Sequence, residues 1–178
     1  MNVLDYLELQ KRAEYVMSYI PKYILKRMIP EDSFFNVCKK VAGKPDAFGF
    51  YIVNVISPLT VPSEIPSDPK ELAKLAGVDD LSKLITVTLD GKALAVDLNK
   101  VELRYENKSV TLKNLKDAAG VTIPVGGKLA LIYDYPGGLK EGEHELVVKV
   151  GIGGNVQEIS AKRVLKKERV ALKYPPVL

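Results

Sequence analysis

Beyond residue 33 the chain alternates apolar and polar positions with a period of two through most of its length, which predicts a protein built mainly of strands. Before that point the spacing is helical. Leu4, Leu7, Val16, Met17 and Ile20, interrupted by Glu8, Lys11, Arg12 and Glu14, predict an amphipathic helix of several turns. Pro21 ends or kinks it, Tyr23 to Met28 can resume it, and Pro30 closes the segment because a residue preceding proline is kept out of the helical region. Such a helix either packs on the sheet or reaches a partner.

The first strand pattern is Ser33 to Cys38, followed by a turn at Gly43-Lys44-Pro45-Asp46 and a long apolar run from Phe48 to Ile56. Both faces of that run are apolar, so it belongs inside a sheet with something covering each side, for instance a second sheet on one face and a helix or subunit on the other. From Ser57 to Ser67 three prolines predict an extended, irregular surface stretch. Asp68-Pro69-Lys70-Glu71 reads as a helix start with a capping box, and Gly77 as its end. Asp79-Asp80-Leu81 opens another turn. The paired aspartates read as caps rather than metal ligands, because no third ligand lies at a useful spacing.

Ile85, Val87 and Leu89 alternate up to Asp90-Gly91, the strongest short hairpin signal in the chain, and Lys92 to Val96 returns. Val101, Leu103 and Tyr105 form a second alternating set that turns at Glu106-Asn107-Lys108 and comes back through Val110 and Leu112. Asn114 to Ala119 predicts a helical turn stopped by Gly120. Lys128 to Val150 reads as a β-hairpin: Leu129, Leu131 and Tyr133 on one face of its first strand, Leu146, Val148 and Val150 on one face of its second, and Tyr135 to Gly142 as the loop. After a glycine-rich loop at 151–155 comes a last extended segment, Val156 to Leu165. The basic, proline-ended tail either adds an edge strand or stays mobile. About seven to nine short strands with few helices predict an antiparallel β-sandwich, with a closed barrel as the alternative. The expected organisation is a helical appendage over 1–30, a β domain over 31–167 with a helical insertion at about 58–83, and a tail over 168–178.

Composition narrows the class of molecule. With 178 residues, 47% of them hydrophobic, the chain can bury a substantial core as one domain or one domain with an appendage. No apolar run approaches the roughly 20 residues that span a bilayer, and the first sixteen residues place charges among the apolar positions, so the expectation is a soluble, cytoplasmic protein. Cys38 is the single cysteine, which rules out a disulfide or a cysteine-based metal site within one chain and leaves it a packing role. Glutamine occurs only at Gln10 and Gln157, tryptophan is absent and Lys and Glu carry most of the charge, a bias of proteins from hot environments. A net charge of +4 points toward polyanions, but the cations are interleaved with acids along the chain, which describes a solvated surface better.

The candidate chemistry is sparse. His144 is the only histidine; its flanking Glu143 and Glu145 point to the opposite face of a strand, so they do not orient it, and a structural histidine at a strand entry is the better reading than a general base. Gly151-Ile152-Gly153-Gly154 lacks the last glycine of a dinucleotide loop, and Val125-Gly126-Gly127-Lys128 is no P-loop. Tyr105, Tyr133 and Tyr135 near basic residues have the chemistry to stack on bases or sugars, although tyrosine is a common strand residue. No residue is assigned as catalytic, cofactor-binding or metal-ligating.

One ordered series of residues resembles a known family. Met28 to Val37, Phe48-Gly49-Phe50, Val87-Thr88-Leu89-Asp90-Gly91, Val101 to Tyr105 through Thr111-Leu112, and Pro136 to Glu145 together resemble the β subunit of C-glycoside deglycosidases, over roughly Ile24 to Val150. The resemblance implies an immunoglobulin-like sandwich that joins a larger TIM-barrel α subunit. In that family the pair cleaves the carbon–carbon bond between a 3-oxo sugar and an aromatic aglycone, with the divalent metal and the catalytic histidine on the α subunit. It therefore implies a non-catalytic accessory subunit of a lyase, with no cofactor in this chain. Where the family has a short Tyr- and Arg-containing segment after its second strand, this chain has Ser57 to Lys83, a departure expected near partner or substrate. Two other readings compete: a free-standing immunoglobulin-like module that forms homo-oligomers, and nucleic-acid binding through Lys162, Arg163, Lys166, Lys167, Arg169 and Lys173.

Overall fold

Strand alternation sorts the apolar side chains onto opposite faces, and this sorting organises the fold. The computed structural model describes residues 21–94, 99–152, 155–167 and 170–171, together with Glu8 and Lys11, both helical. Most of the first predicted helix thus lies outside the described residues, as do residues 95–98 of the first predicted hairpin and Arg169 and Lys173 of the basic tail. Within them the chain is mainly β. It opens with helix α1 (Lys22–Arg27) and strands β1 (Phe34–Val37), β2 (Ala47–Val53) and β3 (Leu59–Thr60), followed by helix α2 (Pro69–Ala76). Then come β4 (Ile85–Leu89), β5 (Lys92–Ala93), β6 (Val101–Tyr105), β7 (Lys108–Val110) and β8 (Thr122–Ile123). The chain closes with β9 (Lys128–Asp134), β10 (Gly142–Ile152), β11 (Asn155–Leu165) and β12 (Val170–Ala171).

A six-stranded sheet runs β12-β1-β2-β9-β6-β7, a four-stranded sheet runs β11-β10-β4-β5, and β3 pairs with β8. All pairings are antiparallel except that of β1 with β12, which is parallel. Of the two alternatives for the tail, Val170 and Ala171 take the edge-strand one. Phe34, Phe48, Phe50, Leu131 and Tyr133 from the larger sheet meet Val87, Leu89, Leu146, Val148 and Ile159 from the smaller one in a single buried core. The other face of the larger sheet carries a second buried cluster, Phe35, Val37, Ala47, Tyr51, Ala130 and Ile132. β2 therefore lies between two strands with both faces buried, as its two-sided apolar pattern predicted. It ends at Val53 rather than Ile56.

The Lys128 to Val150 stretch is not a hairpin. β9 pairs with β2 and β6 in one sheet, and β10 pairs with β4 and β11 in the other, so the loop between them crosses from sheet to sheet. The alternation holds, and both sets of alternate residues point into one core. Strands that lie side by side and strands that face each other across a core carry the same period-two pattern, and a Pro-Gly-Gly loop serves either connection. Gly137 and Gly138 both adopt positive φ, 84° and 67°, in this crossing.

Asp68 and Gly77 cap α2 as predicted, but without the capping box, because the Asp68 side chain bonds the amide of Lys70 and not that of Glu71. Asp68 accepts a hydrogen bond from the Lys70 amide at 2.9 Å, Pro69 is the first helical residue, and Gly77 closes α2 in the left-handed region with φ 68°. Asp80 likewise accepts from the Ser82 amide at 2.7 Å, opening the 3-10 turn Leu81–Lys83. The predicted turn near Asn114 is a 3-10 segment, Leu112–Ala118, so Leu112 leaves the sheet instead of continuing β7. Asp90 and Gly91 both have positive φ, 50° and 75°, the type I′ signature of the β4–β5 hairpin. α1 is tied into the core through Leu25 and the following Ile29. Arg163 of β11 holds its C-terminal end: Nη2 donates to the Lys26 carbonyl of the helix at 3.1 Å and to that of Ile29, just beyond it, at 2.6 Å, and Nε to the Ile29 and Pro30 carbonyls at 2.9 and 3.0 Å.

Candidate functional site

Three places bring polar or binding chemistry together: the surroundings of His144, a charged cluster on β6, and a cavity beneath the 58–83 segment. His144 lies on the inner face of β10, where that face meets solvent, edge-on to the Phe34 ring at 6.2 Å. Its Nδ1 is 2.7 Å from Asp90 Oδ2 and its Nε2 is 2.7 Å from the Lys140 carbonyl. Both partners are acceptors, and only the doubly protonated ring donates to both at once. Asp90 also accepts from the Glu145 amide at 2.9 Å. Burial alone would raise the Asp90 carboxyl, but the hydrogen bonds from His144 and Glu145 and the positive charges of His144 and Lys92 outweigh it and hold the group below its ordinary range. Both ring nitrogens are thus engaged in joining the β4–β5 turn to the strand entry of β10.

A lowered folded-state carboxyl stabilises the native state above the unfolded value, near 3.8, and that contribution disappears as pH falls through the lower folded value. Asp90→Asn keeps a side chain that tolerates positive φ while removing the charge. Urea titrations should find the variant less stable than the parent at neutral pH, with the gap closing below about pH 4. A gap that stays constant down to acid pH would refute the ion pair.

On the outer face of the larger sheet, Glu102 holds Arg104 (Nε to Oε1, 2.6 Å), Ser109, and Lys39 at 3.7 Å, while Lys39 also reaches Asp134 at 2.7 Å. Burial pushes the Glu102 carboxyl up, and the Arg104 and Ser109 hydrogen bonds with the Arg104 and Lys39 charges bring it below its usual range. The cluster is internally satisfied.

The cavity lies on the β4, β6 and β7 side of the two sheets, is half open to solvent and has a volume of about 250 Å³. Its floor is sheet: Ile85, Val101, Leu103, Val110 and Tyr133. Its roof is the departing segment: Val61, Pro62, Ile65 and Pro66 from the proline-rich stretch, then Leu72 and Leu75 from α2, with Leu81 and Leu84 beyond. Thr111 and Leu115 close one side. The stretch expected to be irregular surface is therefore a cavity wall. Pro58, Pro62 and Pro66 signalled extended chain correctly, but the apolar residues between them have no periodicity from which a buried face could be read.

Asn54, 6% exposed, anchors the start of this roof: its Nδ2 donates to the carbonyls of Ser57, Ile123 and Pro124 at 2.7, 3.0 and 3.2 Å. The β3–β8 pairing, with the Thr60 and Thr122 hydroxyls 3.0 Å apart, holds the roof to the 121–127 turn. In the wall, the Tyr133 ring stacks on Phe48 and Phe50 with centroids 5.8 and 6.2 Å apart. Tyr133 is 4% exposed, and its hydroxyl is buried without a hydrogen-bond partner, a state that costs about 1–3 kcal/mol. Burial pushes its phenol well above the ordinary tyrosine range, so it remains a donor.

The other residues weighed from sequence are dispersed. Tyr135 packs edge-on to Phe48 at 5.3 Å, Tyr105 sits at the end of β6, and Cys38 is buried. Gly126, with φ 84°, belongs to the turn entering β9, where its amide donates to the Asn54 carbonyl at 2.7 Å; Gly153 and Gly154 lie outside the described residues. Of the basic set, Arg163 is occupied by carbonyls and Lys166 pairs with Asp32 at 3.3 Å. Among the described residues no three His, Cys, Asp or Glu side chains gather as a metal site, and no helix is long and apolar enough to cross a membrane. Compared with models of known protein families and with curated proteins, the chain matches none.

Proposed function

We propose that this chain is an immunoglobulin-like β-sandwich serving as the non-catalytic β subunit of a heteromeric C-glycoside deglycosidase-like lyase. A TIM-barrel partner would supply the divalent metal and the catalytic histidine. The observation that carries the reading is that residues from separate members of the resembling series meet in space. Asn36 of the first brackets Leu139 of the last with hydrogen bonds of 2.8 and 2.9 Å. Asp90 of the third holds His144 of the last at 2.7 Å. Gly49 of the second leaves room for the Phe35 ring of the first. Motifs that contact one another in this way form one connected part of the fold, which supports reading the series as a unit rather than as separate short matches.

The test is purification of the chain from its native host. Stoichiometric recovery with a barrel-type partner, and carbon–carbon cleavage only by the pair, is expected. Recovery alone would end the subunit reading. β11 favours the alternative of a self-associating module: among the described residues no strand pairs with its outer side, and Val156 and Val164 are exposed, features that invite pairing with another chain. Light scattering of the isolated chain separates the two, since the module would be a stable homo-oligomer.

A further inference from the structure

We propose that β11 is a self-complementary edge: two copies of this chain pair antiparallel along it about a two-fold axis at Ser160, joining their smaller sheets into one. Backbone direction is the first ground. The Glu145 carbonyl accepts from the Asp90 amide at 2.9 Å and the Gly151 amide donates to the Leu84 carbonyl at 2.8 Å, so both residues of β10 turn their backbone groups toward the β4 side. Their opposites on β11, Lys162 and Val156, therefore form non-hydrogen-bonded pairs with β10 and turn their own amides and carbonyls outward. Glu158, Ser160 and Val164 share that direction, being alternate residues of the same strand. Among the described residues no strand takes up these groups. The Lys162 carbonyl accepts from Arg163 Nη1 at 2.7 Å, and its second lone pair stays available.

The order of side chains on that edge says what covers it. The outward residues run Val156, Glu158, Ser160, Lys162, Val164, with valine at both ends, opposite charges placed symmetrically and serine at the centre. Pairing about Ser160 sets Val156 against Val164, Glu158 against Lys162 and Ser160 against its own copy, each a hydrogen-bonded pair because both members face outward. The neighbouring registers, centred on Ile159 or Ala161, set Glu158 against Ser160 or Val164 and match no charge. Val156 is 64% and Val164 48% exposed, and Glu158 and Lys162 are exposed, so the pairing covers apolar surface and joins charges without disturbing the core. β11 also lacks the devices that blunt an edge: its register against β10 is unbroken and it contains no proline. The pairing deepens the self-associating reading. Because β11 lies outside the resembling series, its failure leaves the subunit reading untouched.

The experiment follows the mass of the full chain by sedimentation velocity and the register by cross-linking. The parent is expected to be a dimer. Glu158→Lys, which opposes like charges on both sides of the axis, should weaken the dimer about 10-fold, and adding Lys162→Glu should restore it. The contact of Glu158 with Lys149 of its own chain, at 3.3 Å, is lost in monomer and dimer alike and so does not enter this comparison. With oxidised glutathione, Ser160→Cys should join two copies through a disulfide, since hydrogen-bonded partners lie about 5.5 Å apart between α-carbons. Val156→Cys, about 26 Å from its copy, should not. Cys38 is buried and does not compete. A monomeric parent overturns the proposal together with the self-associating reading. A dimer that withstands Glu158→Lys, or that cross-links no faster through Ser160→Cys than through Val156→Cys, overturns this pairing and leaves self-association to another surface.

Discussion

Replacing Asn36 by alanine is expected to lower the stability of the chain by about 3 kcal/mol, since it strands a buried amide and a buried carbonyl at once. Asn36 is 8% exposed; its Oδ1 accepts from the Leu139 amide at 2.8 Å, and its Nδ2 donates to the Leu139 carbonyl at 2.9 Å. Leu139 is itself buried in the core, so water cannot take over these bonds without opening the crossing loop. For a chain of this size the melting temperature should fall by roughly 6–12 °C. Asn36→Leu restores volume but neither bond, and should be no more stable than the alanine variant. A loss below about 1 kcal/mol in both variants would show that the bracket is not what holds the loop.

Gly49→Ala should cost about 2–3 kcal/mol, for a steric reason. A β-carbon at this position would lie 2.5 and 2.7 Å from two ring atoms of Phe35 and 2.9 Å from the Leu131 carbonyl oxygen. The ring has little freedom to retreat: Phe35 is fully buried, and Tyr51 packs against it with centroids 5.0 Å apart. If the clash is the cause, shortening the ring in Gly49→Ala, Phe35→Leu recovers part of the loss, a coupling that urea unfolding of the double-mutant cycle measures. Purely additive effects would show that Gly49 matters for another reason.

These two residues show how differently parts of the fold could be read from sequence. The run from Phe48 to Ile56 declared itself an interior strand through two apolar faces, and Asp68-Pro69 and Gly77 declared a helix through capping chemistry that acts within a few residues. Asn36 gave no such sign, because its partner is 103 residues away and an asparagine inside a strand pattern looks like an ordinary polar position. Asn54 was missed in the same way. His144 was correctly read as unserved by Glu143 and Glu145, while its actual partner, Asp90, was assigned only to its turn. The cavity had the weakest trace, since its roof is a proline-rich segment without period.

The sequence by itself determined what depends on neighbours along the chain: strand or helix from the apolar period, the caps of α2, the Asp90-Gly91 turn, and the interior character of the Phe48 run. The tertiary structure decided which strands lie side by side and which face each other, and so turned the expected Lys128 to Val150 hairpin into a crossing between sheets. It also placed Arg163 on the carbonyls at and just beyond the end of α1 and set Tyr133 into the wall of a cavity. The physical reason is range. Backbone preference and side-chain alternation act over a few residues, whereas pairing, packing and the satisfaction of buried polar groups are settled between segments that meet only once the core has formed.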